Sequence, residues 1–198
     1  MNRPAKKKAV PAPPWPTDLE HRLLAEVLRE GDQVIDATCG NGHDTRFLAR
    51  CVGPSGRVLA FDVQAAAIGA AARLAEESGL RDRIDFFHES HAGLAERAAP
   101  ESIAAVMFNL GYLPGADREV TTRPEATLPA LEAAARVLRP GGWLCVMAYS
   151  GHEGGPEEAA VVEGWMASRA DLLWRVARYG MLGTLSPAPV LLLAVKPG

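Results

Sequence analysis

Residues 36–45 read Asp36-Ala37-Thr38-Cys39-Gly40-Asn41-Gly42-His43-Asp44-Thr45, and their types suit the capture of a nucleoside cofactor. Gly40 and Gly42 permit a tight turn and close backbone approach, and a helix opening just beyond them offers unpaired N–H groups to a ligand. A second acid, Asp62, ends a following apolar run. A carboxylate there accepts hydrogen bonds from both hydroxyls of a ribose, which neither a cation nor an apolar side chain can do. Val63 follows it, and Ser90 and His91 occupy the segment after the third apolar run, where an adenine would lie.

Two cofactor classes fit such a loop. Dinucleotide enzymes set Gly-x-Gly-x-x-Gly against a pyrophosphate, whereas here Gly40 and Gly42 are followed by Thr45. Asp36 would repel a pyrophosphate and attract the ammonium group of S-adenosylmethionine. The balance favours S-adenosylmethionine, with an NAD-dependent protein or a non-catalytic adenosine-cofactor binder as rivals.

The elements that must carry these residues alternate along the chain. Leu19, Leu23, Leu24, Val27 and Leu28 recur at helical spacing over 18–29, with Thr17 placed to cap and Gly31 to stop. Apolar runs at 33–37, 57–62, 83–88, 103–109 and 143–149 read as strands, the last preceded by a break at Arg139-Pro140-Gly141-Gly142. Helical stretches at 44–50, 65–78, 92–98 and 125–138 lie between them. Continuous apolar strands alternating with helices imply a parallel sheet covered on both faces. A helix at 157–170 then precedes runs 174–181 and 190–196, joined so closely that they pair antiparallel. The expected fold is doubly wound α/β, with a mostly parallel seven-stranded sheet and an antiparallel C-terminal pair.

The 198 residues are 48% hydrophobic and 23% charged, which suits one soluble domain and excludes disorder and fibre. The net charge of −3 is unevenly spread. Arg3, Lys6, Lys7 and Lys8 make residues 1–16 a basic, proline-rich tail, expected to be disordered, and leave 17 basic against 24 acidic groups in the domain over 17–198. Such a body is no general polyanion binder. Cys39, Cys51 and Cys145 form no Cys-x-x-Cys pair, which argues against a disulfide framework and a zinc site. No apolar run approaches a membrane span and no signal-peptide core follows the lysines, so a cytoplasmic protein is expected. Of the histidines, His43, His91 and His152 fall beside strand-end loops, whereas His21 sits in the first helix and His88 on the third strand.

Three stretches together carry a resemblance: residues 36–45, Phe108-Asn109-Leu110-Gly111-Tyr112-Leu113-Pro114-Gly115, and Tyr149-Ser150-Gly151-His152-Glu153-Gly154-Gly155. They are similar to those of class I S-adenosylmethionine-dependent methyltransferases, with Thr38 replacing the first motif glycine. Within that class, residues 17–198 resemble the small bacterial YtqB-like family labelled "putative rRNA methylase". Its characterised members methylate the aminomethyl group of 5-aminomethyl-2-thiouridine at the tRNA wobble position. The resemblance implies a Rossmann-like methyltransferase sheet and the anticodon loop of tRNA as partner. No metal is expected, and the sequence leaves the oligomeric state open, a homodimer included. It also implies a nitrogen cradle at Asn109 and Leu110, which would accept the amine's N–H bonds, with Tyr112 stacking on a flipped base. Asn109 borders the cofactor as well, and Tyr149 and His152 would face the substrate. Ribosomal RNA and small-molecule amines are the alternative acceptors. The segment 183–189 departs from the family, carrying Thr184 and Ser186 where an asparagine is expected.

Overall fold

The computed structural model describes residues 12–111, 122–185 and 187–198. Tyr112 lies outside them, as do residues 1–11 of the expected tail.

The elements in chain order are α1 (Pro16–Val27), β1 (Gln33–Asp36), α2 (His43–Cys51), β2 (Arg57–Asp62), α3 (Ala65–Glu77), β3 (Ile84–His88), β4 (Ile103–Leu110), α4 (Pro124–Val137), β5 (Leu138–Ala148), α5 (Gly155–Ser168), β6 (Arg175–Gly180) and β7 (Val190–Val195). Seven strands form one sheet in the order β3-β2-β1-β4-β5-β7-β6. The first five run parallel, and β7 pairs antiparallel with both β5 and β6. Strand order reverses between β1 and β4, which opens a crevice at their carboxyl ends.

Successive strand residues point to opposite faces and bury two cores. Ile35, Phe61, Phe108 and Val146 meet Leu131, Val162 and Met166 of α4 and α5. Val34, Val58, Met107 and Met147 meet Leu24, Leu48 and Ala71 of α1, α2 and α3. Each fully buried Val, Leu, Ile, Phe or Met side chain among these favours the fold by about 1.5–3 kcal/mol over leaving it in water.

Three local expectations are corrected. Thr17 does not cap α1: Pro16 is its first residue and Trp15 its N-cap, with no side-chain cap bond. Proline suits that position because its fixed φ matches the helix and its missing N–H would have lacked a partner. The break at 139–142 is instead the start of β5, where Gly141 takes a φ of +73° and the register with β4 shifts. Gly141 N–H donates to Lys196 O and Lys196 N–H to Gly142 O, both at 3.0 Å, so the irregular stretch stays paired. The 92–98 helix is a 3-10 segment, His91–Glu96. The Tyr179 hydroxyl donates to Pro14 O at 2.7 Å, so the last residues of the expected tail are held to the body.

Candidate active site

The β1–α2 turn forms one wall of a cavity of about 690 Å³ at the carboxyl ends of the strands. Gly40 and Gly42 have φ of +50° and +83°. A Cβ on Gly42 would stand 2.7 Å from the Ala71 Cα of α3, so close packing and backbone sign both demand glycine there. Asp62 ties the turn down: its Oδ2 accepts from Gly40 N–H and its Oδ1 from Gln64 N–H, each at 2.9 Å. The carboxylate still borders the cavity, alongside Val63, Ser90 and His91.

His91 is 7% exposed, and its Nδ1 lies 3.2 Å from Ala37 O. A carbonyl only accepts, so Nδ1 carries the hydrogen and Nε2 keeps a lone pair. That Nε2 is buried without a partner among the described residues. Burial pushes the imidazole pKa down, against a smaller upward pull from the Ala37 bond, and favours the neutral ring.

Asp36 is placed differently from the sequence expectation. It is fully buried and does not border the cavity. Its Oδ2 accepts from the Thr45 hydroxyl at 2.5 Å and its Oδ1 from Thr38 N–H at 3.3 Å, so it braces the turn from within. Burial, then the nearby Asp44 charge, raises its pKa from 3.8 to about 7. Gly42 and Thr45 likewise stay off the cavity wall, whereas Thr38, Asn41, His43 and Asp44 form part of it. Thr38 gains a further role from its hydroxyl, which accepts from Asn109 N–H at 2.7 Å and stitches β1 to β4.

Asn109 stands at the end of β4 on the cavity wall. Its Nδ2 donates to Asp44 Oδ2 at 2.7 Å. A carboxylate can only accept, which fixes the amide's orientation and leaves Oδ1 without a partner among the described residues. Leu110, Gly111, Tyr149 and His152 continue the wall. Burial, then Asp44 and Glu20, raise the Tyr149 pKa, so the phenol keeps its proton. His152 packs against Gly111, where an added Cβ would lie 3.4 Å from its Nε2.

Several contributors escaped the sequence. Thr122 and Arg123, just before α4, border the cavity, and Arg123 is the sole Arg or Lys among its described lining residues. Glu158 of α5 accepts from the hydroxyls of Thr122 at 2.7 Å and Thr127 at 2.6 Å. On α1, Glu20 is 2% exposed and His21 Nε2 lies 2.7 Å from Asp44 Oδ1. Glu20 precedes Leu24 by four residues, so phasing α1 places an acid on its buried face. Among the described residues no three His, Cys, Asp or Glu side chains gather as a metal site requires.

A sheet of this order, with a glycine turn after its first parallel strand and an acid after its second, is that of the Rossmann-like methyltransferases, and the chain is of that class. More narrowly, residues 58–195 match the family described as "Putative rRNA methylase", and the chain belongs to it. An Arabidopsis thaliana protein named tRNA (mnm(5)s(2)U34)-methyltransferase, chloroplastic, is 37% identical over 190 residues, covering 91% of this chain and 69% of its own. The crystal structure of a "putative rRNA-methylase" from Clostridium thermocellum is 35% identical with a TM-score of 0.90, over 94% of this chain and 100% of its own. A "putative methyltransferase" from Streptococcus mutans, solved in complex with SAH, is 31% identical with a TM-score of 0.84, over 93% and 99%.

Proposed function

We propose that this chain is an S-adenosylmethionine-dependent methyltransferase that N-methylates the aminomethyl group of 5-aminomethyl-(2-thio)uridine at the tRNA wobble position. The observation that carries it is Asn109: its amide nitrogen is committed to Asp44, which leaves an oxygen on the cavity wall to hold an amine's N–H. The name of the Arabidopsis relative supports the choice of tRNA.

The residues present fit the cofactor. Asp62 offers a carboxylate for the ribose hydroxyls, Val63 is 54% exposed beside it as an apolar surface, and the unpartnered His91 Nε2 can accept a hydrogen bond. Gly40 and Asn41 bring backbone to the same wall, with Ser90 at its edge. When bound, the cofactor supplies a methyl group on a sulfonium, electrophilic enough for a neutral amine. A primary alkyl amine resembles lysine, with a pKa of about 10, and is mostly protonated at neutral pH. Asn109 Oδ1 and the Leu110 carbonyl therefore accept N–H bonds and aim the lone pair, a positioning effect. Tyr149 and His152 stand where the extruded base enters, and Tyr112 stacks on it in this reading.

Cytoplasmic tRNA and a homodimer belong to the same proposal; no helix among the described residues is long and apolar enough to cross a membrane. Exposed Leu172, Leu173, Leu182 and Leu185 offer apolar surface for a second copy. To test the function, purified protein is incubated with aminomethyl-thiouridine tRNA and S-adenosylmethionine and the nucleosides are weighed. The wobble nucleoside is expected to become one methylene heavier. Unchanged tRNA alongside methylated rRNA would transfer the assignment to rRNA. Asn109→Ala should lower kcat at least about 100-fold while leaving S-adenosylmethionine affinity within about threefold by calorimetry.

A further inference from the structure

An amine that arrives as an ammonium ion must shed a proton before it can attack, and one chain of side chains leads from the Asn109 wall to water. Asp44 borders the cavity and holds Asn109 through Oδ2, while its Oδ1 lies 2.7 Å from His21 Nε2. The His21 side chain is 36% exposed and that of Asp44 27%, so the pair spans from cavity to solvent. The imidazole is held flat against Phe47, with ring centroids 3.9 Å apart and planes 7° from parallel.

We propose that Asp44 and His21 form the outlet for the proton lost by the acceptor amine, Asp44 taking it at the cavity and His21 passing it to water. This rests on the N-methylation reading above. One proton is shared between Asp44 Oδ1 and His21 Nε2, and Nδ1 carries another. The ammonium gives a proton to Asp44 Oδ2 as the shared proton settles on Nε2, and the imidazolium releases its Nδ1 proton to solvent. The freed lone pair then forms the N–C bond as the C–S bond breaks, its electrons going to sulfur, and the product leaves as a secondary ammonium. An imidazole suits the last position because it can take a proton at one ring nitrogen and release one from the other.

The ionisable groups packed around the pair strengthen the assignment. Glu20 on α1, Asp36 on β1 and Cys145 on β5 are buried, Tyr149 after β5 is 37% exposed, and β7 adds only apolar side chains. Burial raises the pKa of each of the four, favouring the proton-bearing form. Of the three clustered carboxyls, Asp44 alone has an imidazole partner and a path to water.

The test is His21→Gln, which keeps a hydrogen-bond partner for Asp44 but relays no proton. Steady-state kinetics on aminomethyl-thiouridine tRNA should show kcat down about 100-fold at neutral pH. KM for S-adenosylmethionine should stay within about twofold, and the deficit should narrow as pH rises and more amine arrives neutral. A deficit equal at every pH, an unchanged kcat, or a loss confined to cofactor affinity would overturn the proposal. The wild-type enzyme gives an independent arm that needs no variant: its kcat/KM should rise with pH as the ammonium sheds its proton more readily, and a flat profile would also overturn the proposal. Wild-type protein that leaves the tRNA unmethylated would instead remove the function on which the outlet depends.

Discussion

Glu20 is an acid where the fold offers it little. Burial, followed by the Asp44 and Asp36 charges, raises its pKa well above the usual carboxylate range, and its Oε1 has no hydrogen-bond partner among the described residues. An acid whose folded pKa is raised costs nothing below its unfolded value of about 4.3, and its cost grows as pH rises past that point. Glu20→Gln removes the ionisation. Its melting temperature should match wild type near pH 4 and exceed it by a few degrees at pH 8, as scanning calorimetry across pH would show. Asp62 and Gly40 were legible in the sequence because an acid after a strand and a glycine turn have few other uses. Glu20 and His21 were not, because an acid and a histidine in an amphipathic helix look solvated until its buried face is phased. Asp36 was legible as a site residue, but its carboxyl is spent on Thr45 and Thr38.

At the scale of elements, the segment between β4 and α4 is closed at its base by a two-bond clasp. Gly111 N–H donates to Thr122 Oγ1 at 2.8 Å and Thr122 N–H to Gly111 O at 3.0 Å. Glu158 of α5 holds the clasp through Thr122 and secures α4 through Thr127. Glu158→Ala would leave the fully buried Thr127 hydroxyl without its partner, at a cost of about 2–3 kcal/mol in chemical denaturation. It should raise KM for tRNA more than KM for the cofactor, since the clasp borders the acceptor side. The alternation of strand and helix was readable from apolar runs alone. The start of β5 was not: a Pro-Gly-Gly stretch signals a turn locally, and only pairing with β4 and β7 keeps it in the sheet.

For the whole molecule, the seven-stranded order places Asn109, Asp44 and Asp62 around one cavity although they come from β4, α2 and β2. The class of fold was legible because helix and strand periods alternate cleanly. The brace from Tyr179 to Pro14 was not, since nothing local to either residue marks a contact across so much of the chain. Charge works at this scale too. Removing residues 1–11, with Arg3, Lys6, Lys7 and Lys8, should weaken tRNA binding at low salt, flatten its salt dependence and spare cofactor affinity in parallel titrations.

The Tyr179–Pro14 bond also gives the basic segment a radius of action. Thirteen residues precede Pro14. Fully extended they span at most about 45 Å, so the backbone of Arg3, Lys6, Lys7 and Lys8 stays within that distance of the β6 edge. Confined there, the four cations set a local excess of positive charge beside one edge of an otherwise acidic body, so one flank of the molecule differs in sign from the rest.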